Sequence, residues 1–236
     1  MVQYNPLPSE SLETEIFLES DETPVDNELQ NLVPNLLLSI LCLIWSNRQD
    51  WFFGVDMAIY YASDRPAIVP DGFLSIGVQR FSGKNGRLSY ILKRENQVAP
   101  ILVLEVVSHT YRGEYNQKKI DYAELGVLYY VIYDSDRYHS RHGDAFEVHR
   151  LVNGVYQRLS GEPVWMAEIG LGIGREMGTY EGWTREWLYW YDSEGNRFSH
   201  SQELLEQERQ LREKERQLRE NLLAKLREKG IDPDTL

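Results

Sequence analysis

A chain of 236 residues, 42% of them apolar, can bury one sizeable core and still carry extensions. Its one cysteine, Cys42, excludes an internal disulfide and a cysteine-rich zinc site, and the longest apolar run, 36–45, is broken by Ser39 and falls far short of the roughly 20 residues of a membrane-spanning helix. The net charge of −12 sits mostly at the ends: residues 1–30 carry eight acidic and no basic side chains, residues 200–236 carry nine and eight, and residues 31–199 are left at −3, which excludes a strongly basic nucleic-acid-coating protein but not a nuclease that offsets phosphate charge with metal ions.

Residues 1–25 place Pro6, Pro8 and Pro24 among Glu and Asp with little apolar content, so a flexible acidic arm is expected. No basic-then-apolar leader opens the chain, and cytoplasm is the expected compartment, with no membrane partner. Residues 26–199 are expected to fold as one domain. Dense apolar positions over 32–45, with Pro34 suited to a first helical turn and a polar stretch at 47–50, predict a buried helix; Leu38, Cys42 and Trp45 fall on its inner face, with Cys42 as a small core residue. The period then changes. Residues 51–61, with Asp56 inside them, and 71–78 read as two strands joined by a loop that holds Pro66 and Pro70.

A glycine-bearing loop at 82–87 leads to a third strand at 88–93, and 96–100 turns into residues 101–108, ILVLEVVS, which read as a strand buried on both faces. Residues 113–125 predict a helix that Gly126 stops, and 128–133 another buried strand, so the two strands flanking the helix are expected to be parallel. Residues 146–151 and 155–159 flank Asn153-Gly154, a strong hairpin signal. Residues 163–174 carry no clear period, and 186–191 followed by 193–196 suggest one more hairpin.

From residue 201 onward the composition shifts to Glu, Arg, Gln and Leu, and ERQLREK (208–214) is followed by its near copy ERQLREN (215–221). Leu204, Leu211 and Leu218 stand one heptad apart and Leu222 joins as a second core position, so residues 200–236 predict a charged helical tail able to form a coiled coil. Gln207, Lys214 and Glu215 occupy positions that a strong coiled coil keeps apolar, so a solvated helix docked on the body is equally compatible.

Glu105 breaks the apolar strand 101–108. An ionised carboxylate buried there costs several kcal/mol unless it is compensated. It either pairs with a structural Arg or Lys, or it holds a metal ion. Asp71 opens an earlier strand, directly after Pro70, and Lys118 and Lys119 lie on the helix that follows Glu105. A phosphodiesterase needs carboxylates from adjacent strands to hold Mg²⁺ and a cation near the attacking water. The spacing Pro-Asp, then Glu-X-X, resembles the PD-(D/E)XK nuclease superfamily.

Read together, VPDGFLSIGV (69–78), ILVLEVVSHT (101–110) and EYNQKKIDYAELGVLYYVIYD (114–134) resemble the restriction endonuclease family called Uma-two, over roughly residues 55–134. The resemblance implies an α/β (α+β) fold with a restriction-endonuclease-like mixed sheet flanked by helices. It also implies a Mg²⁺-dependent endonuclease, with Mn²⁺ as a substitute, that hydrolyses nucleic acid, DNA first, by a metal-activated water. By position, Asp71 and Glu105 would be the metal-binding carboxylates and the Val106 carbonyl a third ligand. Where the superfamily carries its lysine, two residues after the second carboxylate, this chain has Val107, and the family pattern puts the lysine on the helix at Lys118. Glu114 and Tyr122 share that helical face, and Asp56 is a further supporting acid. His109 stands where the family usually has proline, and Glu114 replaces its aspartate. A homodimer, with the tail as one route to it, would let two centres cut both strands. Two other classes fit the same residues: a catalytically silent module that self-associates through its C-terminal helix, and a metal hydrolase acting on a smaller phosphate ester.

Overall fold

The computed structural model describes residues 28–62, 65–107, 117–135 and 143–229. Helix α1 (Glu28–Ile44) packs one stripe, Val33, Leu36, Leu37, Ile40 and Leu41, into the core with each residue at most 1% exposed. It begins a turn earlier than the sequence suggests, so Pro34 lies inside it rather than in its first turn. Its buried stripe also differs from the expected face: Leu38 and Trp45 are half-buried, and Cys42 is exposed rather than a core residue.

Next in the chain are β1 (Trp51–Val55), β2 (Ile59–Tyr60), β3 (Gly72–Ile76), β4 (Tyr90–Ile91), β5 (Leu102–Val106), helix α2 (Gln117–Leu125), β6 (Tyr129–Tyr133), β7 (Phe146–Val152) and β8 (Val155–Arg158). Six of these strands form one mixed sheet in the order β1-β3-β5-β6-β7-β8, while β2 and β4 make a short parallel pair of their own. Strands β5 and β6 run parallel on either side of α2, as the strand–helix–strand pattern predicts, and the other neighbours in the six-stranded sheet are antiparallel. The expected strand over 51–61 is broken at Asp56, whose φ of +46° ends β1. The expected strand over 88–93 shrinks to two residues followed by a 3₁₀ turn at Leu92–Glu95, because Leu88, 95% exposed, has nothing to pack on.

A second, antiparallel sheet consists of β9 (Val164–Met166), β10 (Leu171–Tyr180) and β11 (Trp183–Tyr191), in the order β11-β10-β9. The stretch without a clear period thus supplies β9 and the start of β10. The last hairpin joins β10 to β11 through Glu181 and Gly182, both at positive φ. The expected turn after β11 is present as a shorter one: Tyr191 bridges Arg197 antiparallel, the Asp192 N–H donates to the Asn196 carbonyl at 3.0 Å and the Phe198 N–H to the Trp190 carbonyl at 2.9 Å. One core lies between the main sheet, α1 and this second sheet; another lies on the opposite face, under α2 and the β2–β4 pair. Helix α3 (Ser201–Glu228) is rooted at its first turn: Glu203 accepts the His200 N–H and two Arg197 bonds at 3.0 Å. No α3 residue is buried. No helix among the described residues is long and apolar enough to cross a membrane.

Candidate active site

Alternation along β5 sends Leu104 and Val106 to the α1 face and Val103, Glu105 and Val107 to the α2 face. Glu105 is therefore buried beneath α2, at 2% exposure. Two α2 residues one helical turn apart reach it: Lys118 Nζ donates to Oε2 at 2.6 Å, and the Tyr122 hydroxyl donates to Oε1 at 2.5 Å. Lys118 keeps 19% of its side chain exposed, so its ammonium offsets the buried charge without being fully desolvated. Burial, and next the charge of Glu105, push the Tyr122 phenol well above its ordinary value, and Asp71 adds to the effect. Tyr122 therefore remains a protonated donor at any ordinary pH.

Asp71 immediately precedes β3. The β3–β5 register pairs Phe73 with Val103 and Gly72 with Leu104, and one step further puts Asp71 beside Glu105. Asp71, 6% exposed, accepts the Val106 N–H at 2.5 Å through Oδ2. An extended residue sends its N–H and C=O to the same side of the strand, so the Val106 carbonyl faces Asp71 as well. Gly72 lets α1 press close at this point: a Cβ there would sit 3.0 Å from Pro34 Cβ.

Asp56 does not sit inside a strand but at the exposed corner after β1; its N–H donates to the Asp71 carbonyl at 3.2 Å, and its Oδ2 accepts from Asn31 at 3.0 Å. Glu114 and His109 lie outside the described residues. Lys119, the neighbour of Lys118, turns the other way and comes within 3.7 Å of Glu147 on β7. Among the described residues, no three His, Cys, Asp or Glu side chains converge as a ready-made metal cage. Mg²⁺ does not require one, since it is commonly held by one or two carboxylates with waters and substrate phosphate. Two carboxylates and a carbonyl are hard oxygen donors suited to it, and a carboxylate oxygen that accepts one hydrogen bond still has a second lone pair to offer.

Sequence reading overlooked Glu147 and His149, which are 6% and 5% exposed and hydrogen-bonded to each other at 2.6 Å. Their signal was present: two residues apart on one strand, they share a face. It also passed over Asp134, 1% exposed at the end of β6. Asp134 lines a cleft of about 570 Å³ together with Asp144, Arg158, Glu162 and Arg175. The cleft is also lined by Phe146 and Val148, so it opens on the sheet face opposite Glu105.

A family model described as "Putative restriction endonuclease" matches residues 7–179. No curated protein matches the chain. Among solved structures, one described as a "putative nuclease belonging to DUF820" from Anabaena variabilis is 14% identical, with 61% of this chain and 73% of that chain covered and a TM-score of 0.43.

Proposed function

Because the chain belongs to the Uma2 restriction endonuclease family, whose model spans most of its length, we propose that it is a metal-dependent endonuclease with its centre at Asp71, Glu105 and Lys118. The observation that carries this reading is the pairing of two buried carboxylates at one end of neighbouring strands with an ammonium 2.6 Å from one of them. Asp71, Glu105 and the Val106 carbonyl would hold Mg²⁺, with Mn²⁺ as a substitute. A divalent cation bound there supplies Lewis acidity toward a phosphoryl oxygen and lowers the pKa of water. The chain's own residues do the rest. Lys118 keeps a positive charge beside Glu105, where it orients the attacking water and offsets charge that builds on the scissile phosphate. Tyr122 fixes the Glu105 rotamer from the buried side, and the Val106 N–H does the same for Asp71. Nucleic acid is the substrate on this reading, with DNA expected ahead of RNA.

The test runs duplex DNA, RNA and bis-p-nitrophenyl phosphate in parallel with Mg²⁺ or Mn²⁺, beside calorimetric metal binding. The expected result is metal-dependent cleavage of nucleic acid that is lost in Asp71→Asn, Glu105→Gln and Lys118→Met. Metal binding that is unchanged in Asp71→Asn and Glu105→Gln would remove the basis of the proposal. Cleavage of the small diester alone would move the protein to a different hydrolase class. Pairing of two copies through α3 is part of the same reading, supported by Leu204, Leu211, Leu218 and Leu222, which are 44–71% exposed along the helix.

A further inference from the structure

The two lysines in the first turn of α2 serve two different buried carboxylates, and the centre proposed above uses one of them. Glu105 pairs across the sheet with Ile132, and Ile132 with Glu147, so the two glutamates lie in one row on one face. Two interstrand spacings, about 10 Å, separate their backbones. Lys118 Nζ lies 2.6 Å from Glu105, and Lys119 Nζ lies 3.7 Å from Glu147. Successive residues of a helix point about 100° apart. Adjacent lysines can therefore meet both carboxylates only in a narrow range of rolls of α2 on the sheet.

Besides the Tyr122 hydroxyl on Glu105 and an ion pair between Glu124 and Arg65, few described contacts fix that roll. The described part of α2 has nine residues and buries only Tyr122 and Leu125 among them. Glu147, by contrast, is firmly held: His149 bonds Oε2 at 2.6 Å, the Asp144 N–H donates to Oε1 at 2.9 Å, and Arg158 approaches to 3.8 Å. His149 is itself packed against the rings of Tyr130 and Tyr156, and Tyr130 lies 5.1 Å from the ring of Tyr122, the phenol donor to Glu105. The two acidic centres are thus joined twice, through the helix and through a row of rings.

We infer that Glu147 is a positioning residue: by holding Lys119 it fixes the roll of α2 that directs Lys118 onto Glu105. The inference rests on the Lys118–Glu105 reading of the centre, to which it adds a residue two strands away that never touches substrate. Its effect on Lys118 can be read without any turnover, by measuring the reactivity of each lysine toward an amine-acylating reagent in metal-free protein by mass spectrometry, beside kcat and KM on DNA. Glu147→Gln and Lys119→Met are expected to raise labelling of Lys118 severalfold and to lower kcat roughly tenfold with KM little changed. Lys119→Arg, which keeps the cation, restores both. Unchanged Lys118 labelling in Glu147→Gln and Lys119→Met overturns the inference, even where melting temperature falls, because a purely structural role would lower stability alone. Failure of Lys119→Arg to rescue overturns it as well. Should the wild-type protein cut no phosphodiester, the nuclease reading fails, yet the labelling comparison still decides whether Glu147 positions Lys118.

Discussion

Replacing Lys118 by methionine tests whether the buried Glu105 depends on its cation. Methionine keeps the unbranched apolar stem but removes the ammonium 2.6 Å from Oε2, while the Tyr122 hydroxyl stays at Oε1. Removing one partner of a buried ion pair costs about 3–5 kcal/mol, because the remaining charge stays desolvated. Glu105 is 2% exposed but the Lys118 side chain is 19% exposed, which places the expected loss near the lower end, about 3 kcal/mol. In a chain of this length each kcal/mol moves Tm by about 2–4 °C, so Lys118→Met should melt about 6–12 °C lower. The double variant Lys118→Met/Glu105→Gln carries a neutral amide that still accepts from Tyr122, and it should recover most of that loss. Thermal unfolding at pH 8 without divalent metal, followed by circular dichroism for the four members of the cycle, measures the coupling, expected at about 2 kcal/mol or more. A Lys118→Met variant within about 1 kcal/mol of wild type, or a double variant no more stable than Lys118→Met, would refute the buried-pair argument.

Glu147 supplies a pH dependence. Burial alone would raise its pKa, but the His149 hydrogen bond, the Asp144 N–H and the Lys119 charge outweigh it and bring the carboxyl down to about 2. A depressed carboxyl stabilises the fold fully above its unfolded value, about 4.5, and that contribution, of order 3 kcal/mol, is lost as pH falls from there to about 2. Glu147→Gln should therefore flatten stability against pH within that window; an acid limb as steep as wild type would count against this. In α3, Leu211→Glu/Leu218→Glu changes two residues that are 60% and 71% exposed. Light scattering should show wild type as a dimer and the variant as a monomer with an unchanged melting midpoint at low concentration, and a monomeric wild type would end the pairing idea.

The β5–α2–β6 unit was legible because its signals are local: a doubly buried apolar run, Gly126 as a helix stop, and a second apolar run at helix-spanning distance. The β7–β8 hairpin was legible from Asn153-Gly154, both at positive φ. The inward face of α1 is not legible because the run 36–45 is apolar nearly all round and offers no polar face to set its phase; the structure buries Val33, Leu36, Leu37, Ile40 and Leu41. The second sheet was illegible for a different reason: its longest ladder, β10 with β11, depends on a turn at Glu181-Gly182 that carries no Asn-Gly or Asp-Gly signal. Glu105 stood out as a charge within an apolar run. Glu147 and His149 do not, because only the sheet register, which pairs them with Ile132 and Tyr130, shows that their face meets α2 rather than solvent.

The position of the lysine connects these features. At Val107, two residues beyond Glu105 and on the same face, the side chain is 1% exposed within the apolar cluster under α2. An ammonium rooted there would have to be desolvated or thread out past Tyr122 and Leu125. Lys118 delivers a positive charge to Glu105 from α2 while its side chain stays 19% exposed. A strand residue is aimed by the sheet itself, whereas a residue on a nine-residue helix is aimed only as well as that helix is held. On the proposed reading of the centre, a cation on the helix rather than the strand costs less to desolvate and depends for its aim on the contacts of α2. Lys119 with Glu147, and Tyr122 with Tyr130, are the contacts in place to provide that aim.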